Sequence, residues 1–396
     1  MRLRWLVDVG ASRTRTRASR IRLGLFTQAA SIILLAACSS SATKTKPTPL
    51  AAIANPVNVQ RVWKVELGDS EGTFLRPCVL EHAIFAASGK GNLVRVDPSS
   101  GQELWRVQVD GGIAAGVGSD GLTVSVVGPR GNILAYDAAG KLLWQAQASS
   151  NVIAPPLVGH DLVVVRSTDQ RITAYEVASG KRRWVFQKQP PPLSLRVEAD
   201  LAISADSLLV GFPGGRLGSI ALTNGAGRWE AAVSEPKGAT EVERLADVVG
   251  VPALIDSDVC AASYQGRIGC FETRNGDLRW AREFSARTGV AVSEDAIFGV
   301  DSGSHVNGFK RSSGATLWQS GVLAYRDLSP PVVLGKLLAV GDFEGRIHFL
   351  SAEDGKIVGR FDAGAGPVIS TPQVWNGAAL FQTARGQLLL LSATGG

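Results

Sequence analysis

The sequence predicts an all-β fold, an eight-bladed β-propeller of four-stranded antiparallel blades. The first observation is a frame that recurs along the chain, which in its second copy reads Gly131-Asn-Ile-Leu-Ala-Tyr-Asp-Ala-Ala-Gly-Lys-Leu-Leu-Trp144. The second is the alternation of residues with a period of two inside each copy, which indicates strands and not helices. The third is the spacing of the tryptophans, because four strands per repeat of about 40 residues is typical of a propeller blade.

Seven tryptophans mark the repeats, at intervals of 42, 39, 40, 45, 51 and 38 residues. We expect each of these rings to pack between two blades. They are Trp63, Trp105, Trp144, Trp184, Trp229, Trp280 and Trp318. Gly359 takes this position in the next copy, and the last copy ends before reaching it. Because Trp63 lies in a fourth strand with no blade before it, we expect the N-terminal strand to complete the blade that Leu391 ends and to close the ring.

Two recurring positions predict local structure within the blades. A proline-bearing segment opens five of the copies, and proline lacks the amide that a central strand needs, so this segment is predicted to be an edge strand. These prolines are Pro77, Pro155, Pro252, Pro330 and Pro372. An acid recurs at one frame position, and we interpret it as a turn residue that accepts backbone amides. These acids are Asp97, Asp137, Glu176 and Glu272.

The first 37 residues are predicted to be a signal peptide and not part of the ring. They contain seven arginines and an apolar run from Leu23 to Ala37, which is too short for a permanent membrane span. Leu35-Ala-Ala-Cys38 matches a lipobox, so Cys38 is predicted to be lipidated; the alternative is a cleaved secretory peptide. Residues 38–58 are predicted to be a flexible tether and residues 59–396 the propeller.

The charge of the chain gives no support to nucleic-acid binding. The whole sequence has 41 Lys+Arg against 35 Asp+Glu, but without residues 1–37 the remainder has 34 of each. A neutral mature protein lacks the basic surface that phosphate backbones require.

Catalytic and metal-binding signals are weak in this sequence. The four histidines lie at unrelated positions of the repeats, no nucleophile elbow or phosphate loop is present, and no spacing suits zinc. We therefore predict no enzyme activity, metal or cofactor. Cys78, Cys260 and Cys270 are interpreted as three buried thiols, in preference to a bridge across the hairpin between Cys260 and Cys270.

Two intervals exceed the repeat length, and they predict where a partner binds. The additional residues fall at 187–197 and 234–251, in connections of neighbouring repeats. Insertions in repeat proteins map to loops, often on a binding face. The first contains Pro190-Pro-Pro-Leu-Ser-Leu-Arg196, whose leucines and arginine have the composition of an interface hot spot. The second contains Glu243-Arg-Leu-Ala-Asp-Val-Val249.

The frame Ala135-x-Asp-x-x-Gly-Lys-x-x-Trp144 resembles the repeat of the pyrroloquinoline-quinone (PQQ) enzyme-like propellers. With a lipobox, a short tether and a single ring, the whole chain resembles the BamB family, lipoprotein subunits of the outer-membrane β-barrel assembly (BAM) machinery. The resemblance implies a monomeric scaffold at the periplasmic face of the outer membrane. Its implied partners are the periplasmic domains of BamA, other BAM subunits and unfolded outer-membrane proteins.

The resemblance also implies which residues contact BamA. Leu193, Leu195 and Arg196 match the Leu-Ser-Leu-Arg loop of the family, with the leucines buried in the partner and the arginine paired with an acid or carbonyl. Asp247 matches the first acid of a Leu-x-Asp-Val-Asp loop and would order that loop or accept a partner's hydrogen bond. Val249 replaces the second aspartate, so the acidic contact could move to Glu241 or Glu243.

Two other functions remain compatible with this fold. One is a periplasmic PQQ-dependent dehydrogenase, although the sequence lacks the adjacent cysteines and the calcium ligands of those enzymes. The other is a propeller that binds a small ligand, such as a carbohydrate, on one face.

Overall fold

The computed structural model describes residues 45–54, 56–70, 73, 75–195, 200–368 and 370–394. Within these ranges the chain forms 32 strands and no helix, in eight four-stranded antiparallel sheets arranged as a propeller ring. The predicted fold class is confirmed. The predicted signal peptide and Cys38 lie outside the described residues.

Blades 1 to 7 each use four consecutive strands, whereas blade 8 combines both ends of the chain. The strand that opens the ring is β1 (Asn58–Glu66). Blade 1 comprises β2 (Cys78–Val79), β3 (Ile84–Ala87), β4 (Asn92–Val96) and β5 (Glu103–Gln108). Blade 2 comprises β6 (Ala115–Ser119), β7 (Thr123–Val127), β8 (Asn132–Asp137) and β9 (Leu142–Gln147). Blade 3 comprises β10 (Leu157–Gly159), β11 (Leu162–Arg166), β12 (Arg171–Glu176) and β13 (Arg182–Gln187).

The second half of the ring repeats this order. Blade 4 comprises β14 (Leu201–Ser204), β15 (Ser207–Phe212), β16 (Arg216–Ala221) and β17 (Gly227–Ala232). Blade 5 comprises β18 (Val248–Ile255), β19 (Asp258–Ser263), β20 (Gly266–Glu272) and β21 (Leu278–Phe284). Blade 6 comprises β22 (Ala291–Val292), β23 (Ala296–Val300), β24 (Val306–Lys310) and β25 (Thr316–Ser320). Blade 7 comprises β26 (Val332–Leu334), β27 (Leu337–Gly341), β28 (Arg346–Ser351) and β29 (Ile357–Asp362).

Blade 8 closes the ring as the sequence predicts. It comprises β30 (Gln373–Trp375), β31 (Ala378–Gln382), β32 (Gln387–Thr394) and, as its outer strand, β1. β1 pairs antiparallel with β32, and Trp63 lies opposite Leu390. Joining the two ends in one sheet pairs the inner side of β1 and leaves the ring without a gap.

The apolar core is divided among the joints between blades. Each of the eight buried clusters draws side chains from two neighbouring blades, such as Val164 and Ile172 of blade 3 with Leu208 and Phe212 of blade 4. The alternation of side chains explains this arrangement, because one face of every sheet packs on the preceding blade and the other on the next. Stability is therefore distributed around the ring.

The repeated tryptophans each reach from one blade to the next. The indole Nε1 of each of the seven donates to a backbone carbonyl in the turn between the third and fourth strands of the following blade, over 2.5 to 3.0 Å. Trp144, for example, donates to the Val177 carbonyl. Its ring packs against Gly180, which has φ +69°, and a Cβ there would lie 2.6 Å from indole carbons. The recurring glycine therefore provides a left-handed turn and space for the neighbouring blade's tryptophan.

The proline and acid positions also match their predicted roles, with one difference. The first strand of each blade is hydrogen-bonded to one neighbour only, as expected of an edge strand. Asp97 and Asp137 each accept two backbone amides of their own turn through Oδ1, and hydrogen bonds from Ser99 and Ser100 lower the pKa of Asp97 to about 2. Glu176 instead accepts the Ser179 hydroxyl, and Glu272 forms an ion pair with Arg279, because the longer side chains reach past their own turn amides.

The preferred interpretation of the cysteines is wrong. Cys260 and Cys270 form a disulfide between β19 and β20, while Cys78 is a free thiol whose pKa is raised by burial. The two bridged residues stand directly opposite each other, with their Cα atoms 4.1 Å apart. The register of these two strands determines whether Cys260 and Cys270 can form a disulfide, and the sequence alone did not specify that register.

We expect Trp144→Ala to lower the free energy of unfolding by about 3 kcal/mol, because it removes a large buried ring and leaves the Val177 carbonyl without its donor. Denaturant titration of the variant measures this change. Leu143→Ala is the matched control, since Leu143 is the adjacent residue, is 46% exposed and should change stability by less than about 0.5 kcal/mol. Equal losses in the two variants would contradict the interblade role.

We also expect a specific pattern of thiol labelling at Cys78, Cys260 and Cys270 in the folded protein. Alkylation after denaturation without reductant should modify Cys78 and leave Cys260 and Cys270 unmodified, because these two are bridged. Alkylation after reduction should modify all three. Mass spectrometry of the peptides distinguishes the states, and labelling of all three without reductant would argue against the bridge.

Candidate partner-binding site

The two long connections lie on the same face of the ring. Residues 188–200 join β13 to β14, and residues 233–247 join β17 to β18. Both run from the outer strand of one blade to the inner strand of the next, so they emerge at the edge that also carries the turns between second and third strands. We call this side the loop face. Blades 3, 4 and 5 contribute to it consecutively, as the repeat spacing predicts.

Asp247 holds the two connections together. Its side chain is 3% exposed, its Oδ2 accepts the Leu195 amide at 2.6 Å and its Oδ1 accepts the Gly214 amide at 3.0 Å. Its own carbonyl accepts the amide of Tyr264 in blade 5 at 2.9 Å. Of the two roles considered for Asp247, the geometry supports ordering of the loops, because both carboxylate oxygens are engaged within the chain.

The apolar side chains of the site belong to the two connections that Asp247 joins. Leu193 is 42% exposed and Leu195 is half-buried, while Arg196 lies outside the described residues. The second connection adds Val242, which is 60% exposed and which the sequence analysis did not select. Two leucines fixed by a buried carboxylate form a preorganised apolar surface.

A cavity of about 350 Å³ lies beneath the first connection. Leu193 and Leu195 line its outer side, and Arg166, Gln170 and Asp247 line its polar side. Such a pocket, with an apolar rim and a few fixed polar groups, has the form of sites that receive a side chain or a small ligand.

Arg166 is the buried cation of this cavity. It donates to the Gly211 carbonyl at 2.7 Å and to Gln170 Oε1 at 2.8 Å, and its guanidinium lies over the Phe212 ring at 5.7 Å. Burial lowers its pKa to about 10, an effect that Asp200 and Asp247 oppose, so the side chain remains charged at neutral pH. Its charge and planar donors fix the end of β11 beneath the loops.

An ion pair with a buried carboxylate joins two blades just before their first strands. Arg76, just before β2, forms an ion pair with Asp200, just before β14, and so links blade 1 with blade 4. Burial raises the pKa of Asp200, while Arg76 and Arg166 act in the opposite direction. Sequence reasoning missed Arg166 and Asp200; the signal for Arg166 was a charge at the end of the apolar run that begins at Leu162.

The acidic residues proposed as substitutes for the missing aspartate have partners within their own loop. Glu243 Oε2 accepts the Ala239 and Thr240 amides at 2.7 and 3.0 Å, and these bonds lower its pKa. Glu241 lies 3.3 Å from Arg244 and is exposed. Val249, at the position of the second aspartate, is buried in β18 opposite Ala262. The described loop thus places Glu241 and Glu243 on a turn that bonds within itself, and neither takes the place of an acid at position 249.

The described part of the chain has neither a metal-binding cluster nor a membrane-spanning helix. It places no three His, Cys, Asp or Glu side chains close enough to hold a metal ion. It contains no helix of the length and hydropathy needed to cross a membrane. His305 and His348 have structural roles: the His305 ring bonds to Asp301, and the fully buried His348 ring bonds to Asp342.

Comparison with known proteins identifies the family. The family model described as "Outer membrane protein assembly factor BamB" matches residues 89–320 and 302–396. The chain belongs to the BamB family. A BamB of Bordetella pertussis is 38% identical over 91% of this chain and 95% of its own length, and a BamB of Burkholderia pseudomallei is 36% identical over 87% and 91%.

Solved structures agree with this membership. The crystal structure of BamB from Moraxella catarrhalis superposes with a TM-score of 0.77 at 28% identity, covering 85% of this chain and 100% of that chain. A quinohemoprotein alcohol dehydrogenase from Comamonas testosteroni superposes with a TM-score of 0.65 at 12% identity, over 88% of this chain and 78% of that chain. At that identity the dehydrogenase shares the fold alone, so the resemblance to PQQ enzymes carries no activity to this BamB-family chain.

We expect Asp247→Ala to loosen both connections, because the amides of Leu195 and Gly214 lose a buried acceptor. The loss should lower stability by about 1 to 3 kcal/mol and accelerate hydrogen exchange at these two amides. Exchange measured by mass spectrometry provides the test. Glu241→Ala is the control, since Glu241 is exposed and contacts Arg244 of its own turn; unchanged exchange at Leu195 in Asp247→Ala would refute the linking role.

Proposed function

We propose that this protein is a non-enzymatic scaffold of outer-membrane protein assembly that binds the periplasmic domains of BamA through the loop face. The observation that carries the proposal is the pair of loops joined by Asp247, with Leu193 exposed on the first. Family membership supports the assembly role, since relatives at 38% and 36% identity are named outer membrane protein assembly factors.

The physical form of the loops favours protein binding over catalysis. Three consecutive prolines, residues 190–192, precede Leu193 and restrict the backbone, and the Asp247 carboxylate fixes the amide of Leu195. A loop that is ordered before binding loses little conformational entropy on association. In the complex, Leu193 and Leu195 bury in an apolar pocket of BamA, and Arg196 pairs with an acid or a carbonyl at the rim.

The remaining partners and the location follow from the family and the lipobox. Cys38 carries the lipid that anchors the protein to the outer membrane, with the ring on the periplasmic side. The protein acts as a monomer within the complex, beside other BAM subunits, and assists the folding and insertion of unfolded outer-membrane proteins. The support for a scaffold, and against an enzyme, is that the relatives are assembly factors while the dehydrogenases match at 12% and 13% identity.

We expect Leu193→Asp to weaken BamA binding at least about tenfold, because the substitution places a charge in an apolar contact. Leu317→Asp is the matched control: Leu317 is 50% exposed on β25 of blade 6, outside the two loops, and its substitution should leave binding unchanged. Titration of the purified chain with the periplasmic domains of BamA measures both affinities. Equal affinities of the two variants, or co-purification of no BAM subunit with the tagged protein, would refute the proposal.

A further inference from the structure

The part of the predicted tether that the structure describes does not stand free of the ring. Residues 46–54 and 56–57, which we call the strap, contact blades 6 and 7. The Thr48 amide donates to the Ala324 carbonyl at 3.0 Å, and the Val57 amide donates to the Val358 carbonyl at 2.8 Å. Between these ends, Leu50 packs on the apolar cluster at the joint of blades 6 and 7. The expectation of a flexible tether up to Asn58 is therefore wrong for this stretch.

Two arginines hold the strap through its backbone. Arg326 donates from Nη1 to the Thr48 carbonyl at 3.3 Å, and Arg360 donates from Nη1 and Nη2 to the Ala51 carbonyl at 3.3 Å each. Arg326 is 4% exposed and is fixed by Asp342 at 2.8 Å and by Glu344. The donors are therefore positioned by the ring before the strap binds them.

The repeat itself accommodates the strap. Gly359 occupies the tryptophan position of blade 7, and a Cβ built there would lie 2.8 Å from Val57 Cγ2 and 3.0 Å from Val59 Cγ2. A tryptophan could not fit in that space. The repeat that lacks the tryptophan is therefore the one against which the N-terminal segment packs.

The strap reverses the direction in which the N-terminus leaves the ring. β1 starts on the face opposite the loop face, because its last residue, Glu66, pairs with Gln387 beside the turn between β31 and β32. Thr48 instead lies at Ala324, in the connection between β25 and β26, which belongs to the loop face. The strap thus runs along the outer edge of blade 7 from one face to the other.

We propose that the strap directs the lipid-anchored N-terminus to the loop face and so turns the partner-binding site toward the membrane. Lys46 is eight positions after Cys38, and a fully extended chain spans at most about 29 Å over eight residue-to-residue steps. Released from the ring, the twenty steps from Cys38 to Asn58 could span about 70 Å and would start from the opposite face. The strap therefore holds the loop face toward the membrane. That this orientation serves BamA binding rests on the proposed function, whereas the exit direction does not.

The first test measures docking of the strap. Leu50→Asp places a carboxylate against the apolar joint and should accelerate hydrogen exchange of the Thr48 amide by roughly tenfold or more. Ala54→Asp is the matched control, since Ala54 is exposed in the same strap and its substitution should leave this exchange unchanged. Rapid exchange of Thr48 in the unsubstituted protein would overturn the proposal.

The second test measures orientation on a membrane. A fluorophore is attached to the lipidated protein at Lys90→Cys, on the loop face, or at His82→Cys, at the other end of β3, each in a Cys78→Ala background. On vesicles of phosphatidylethanolamine and phosphatidylglycerol that carry a lipid-borne quencher, the Lys90 position should be quenched more strongly than the His82 position. Leu50→Asp should remove the difference and Ala54→Asp should retain it. Equal quenching at both positions, or absence of lipid on Cys38 by mass spectrometry, would overturn the proposal.

A binding measurement separates this proposal from the proposed function. In detergent solution Leu50→Asp should bind the periplasmic domains of BamA as the unsubstituted protein does, because the loops are intact. Failure of every variant to bind would refute the BamA assignment and leave the exit direction standing, as judged by the quenching result. Loss of binding in Leu50→Asp alone would overturn the proposal that the strap orients the protein without contributing to BamA binding.

Discussion

The contact on which the ring depends is the tryptophan of one blade against the turn of the next. The indole donates to a carbonyl of that turn, and its ring lies against the glycine beside it, as Trp144 does with Val177 and Gly180. Each half of the contact is supplied by a different repeat, so no blade is complete without its neighbour. This explains why the sequence repeats both the glycine and the tryptophan, and why the core is divided among eight joints.

The contact between tryptophan and turn is made by residues within the repeats. The connections between blades can therefore be longer without disturbing it. The two longest join blades 3, 4 and 5, and one buried carboxylate, Asp247, orders them by accepting the Leu195 and Gly214 amides. The buried Arg166 lies on the floor of the same cavity, where Asp200 and Asp247 balance its charge. The ring therefore acts as a rigid frame, and buried groups of the chain fix the loop that carries Leu193 and Leu195.

The sequence predicted most of the fold, and the position of the two long connections, because these depend on periodicity. The tryptophan intervals give the blade count, and Trp63 at the start of the series predicts closure by the first strand. The roles of individual side chains depend on register and burial, which periodicity does not determine. The Cys260–Cys270 bridge required their direct opposition in the hairpin, and Asp247 was equally compatible with a partner contact until both of its oxygens were placed. Arg166 was missed because its carbonyl partner, Gly211, lies in the neighbouring blade, 45 residues along the chain.

Gly359 shows how a departure from the repeat can be as informative as the repeat. Blade 8 takes its outer strand from the start of the chain, so it has no turn between third and fourth strands to which a tryptophan of blade 7 could donate. The space is filled by Val57 and Val59 instead, and the chain that leads to them is held on blade 7 by Arg326 and Arg360. Closure of the ring and the path of the N-terminus therefore have the same cause, which is the use of β1 as the outer strand of blade 8. A propeller whose last blade came from consecutive strands would have such a turn, and a tryptophan could stand in place of Gly359, where Val57 and Val59 now pack.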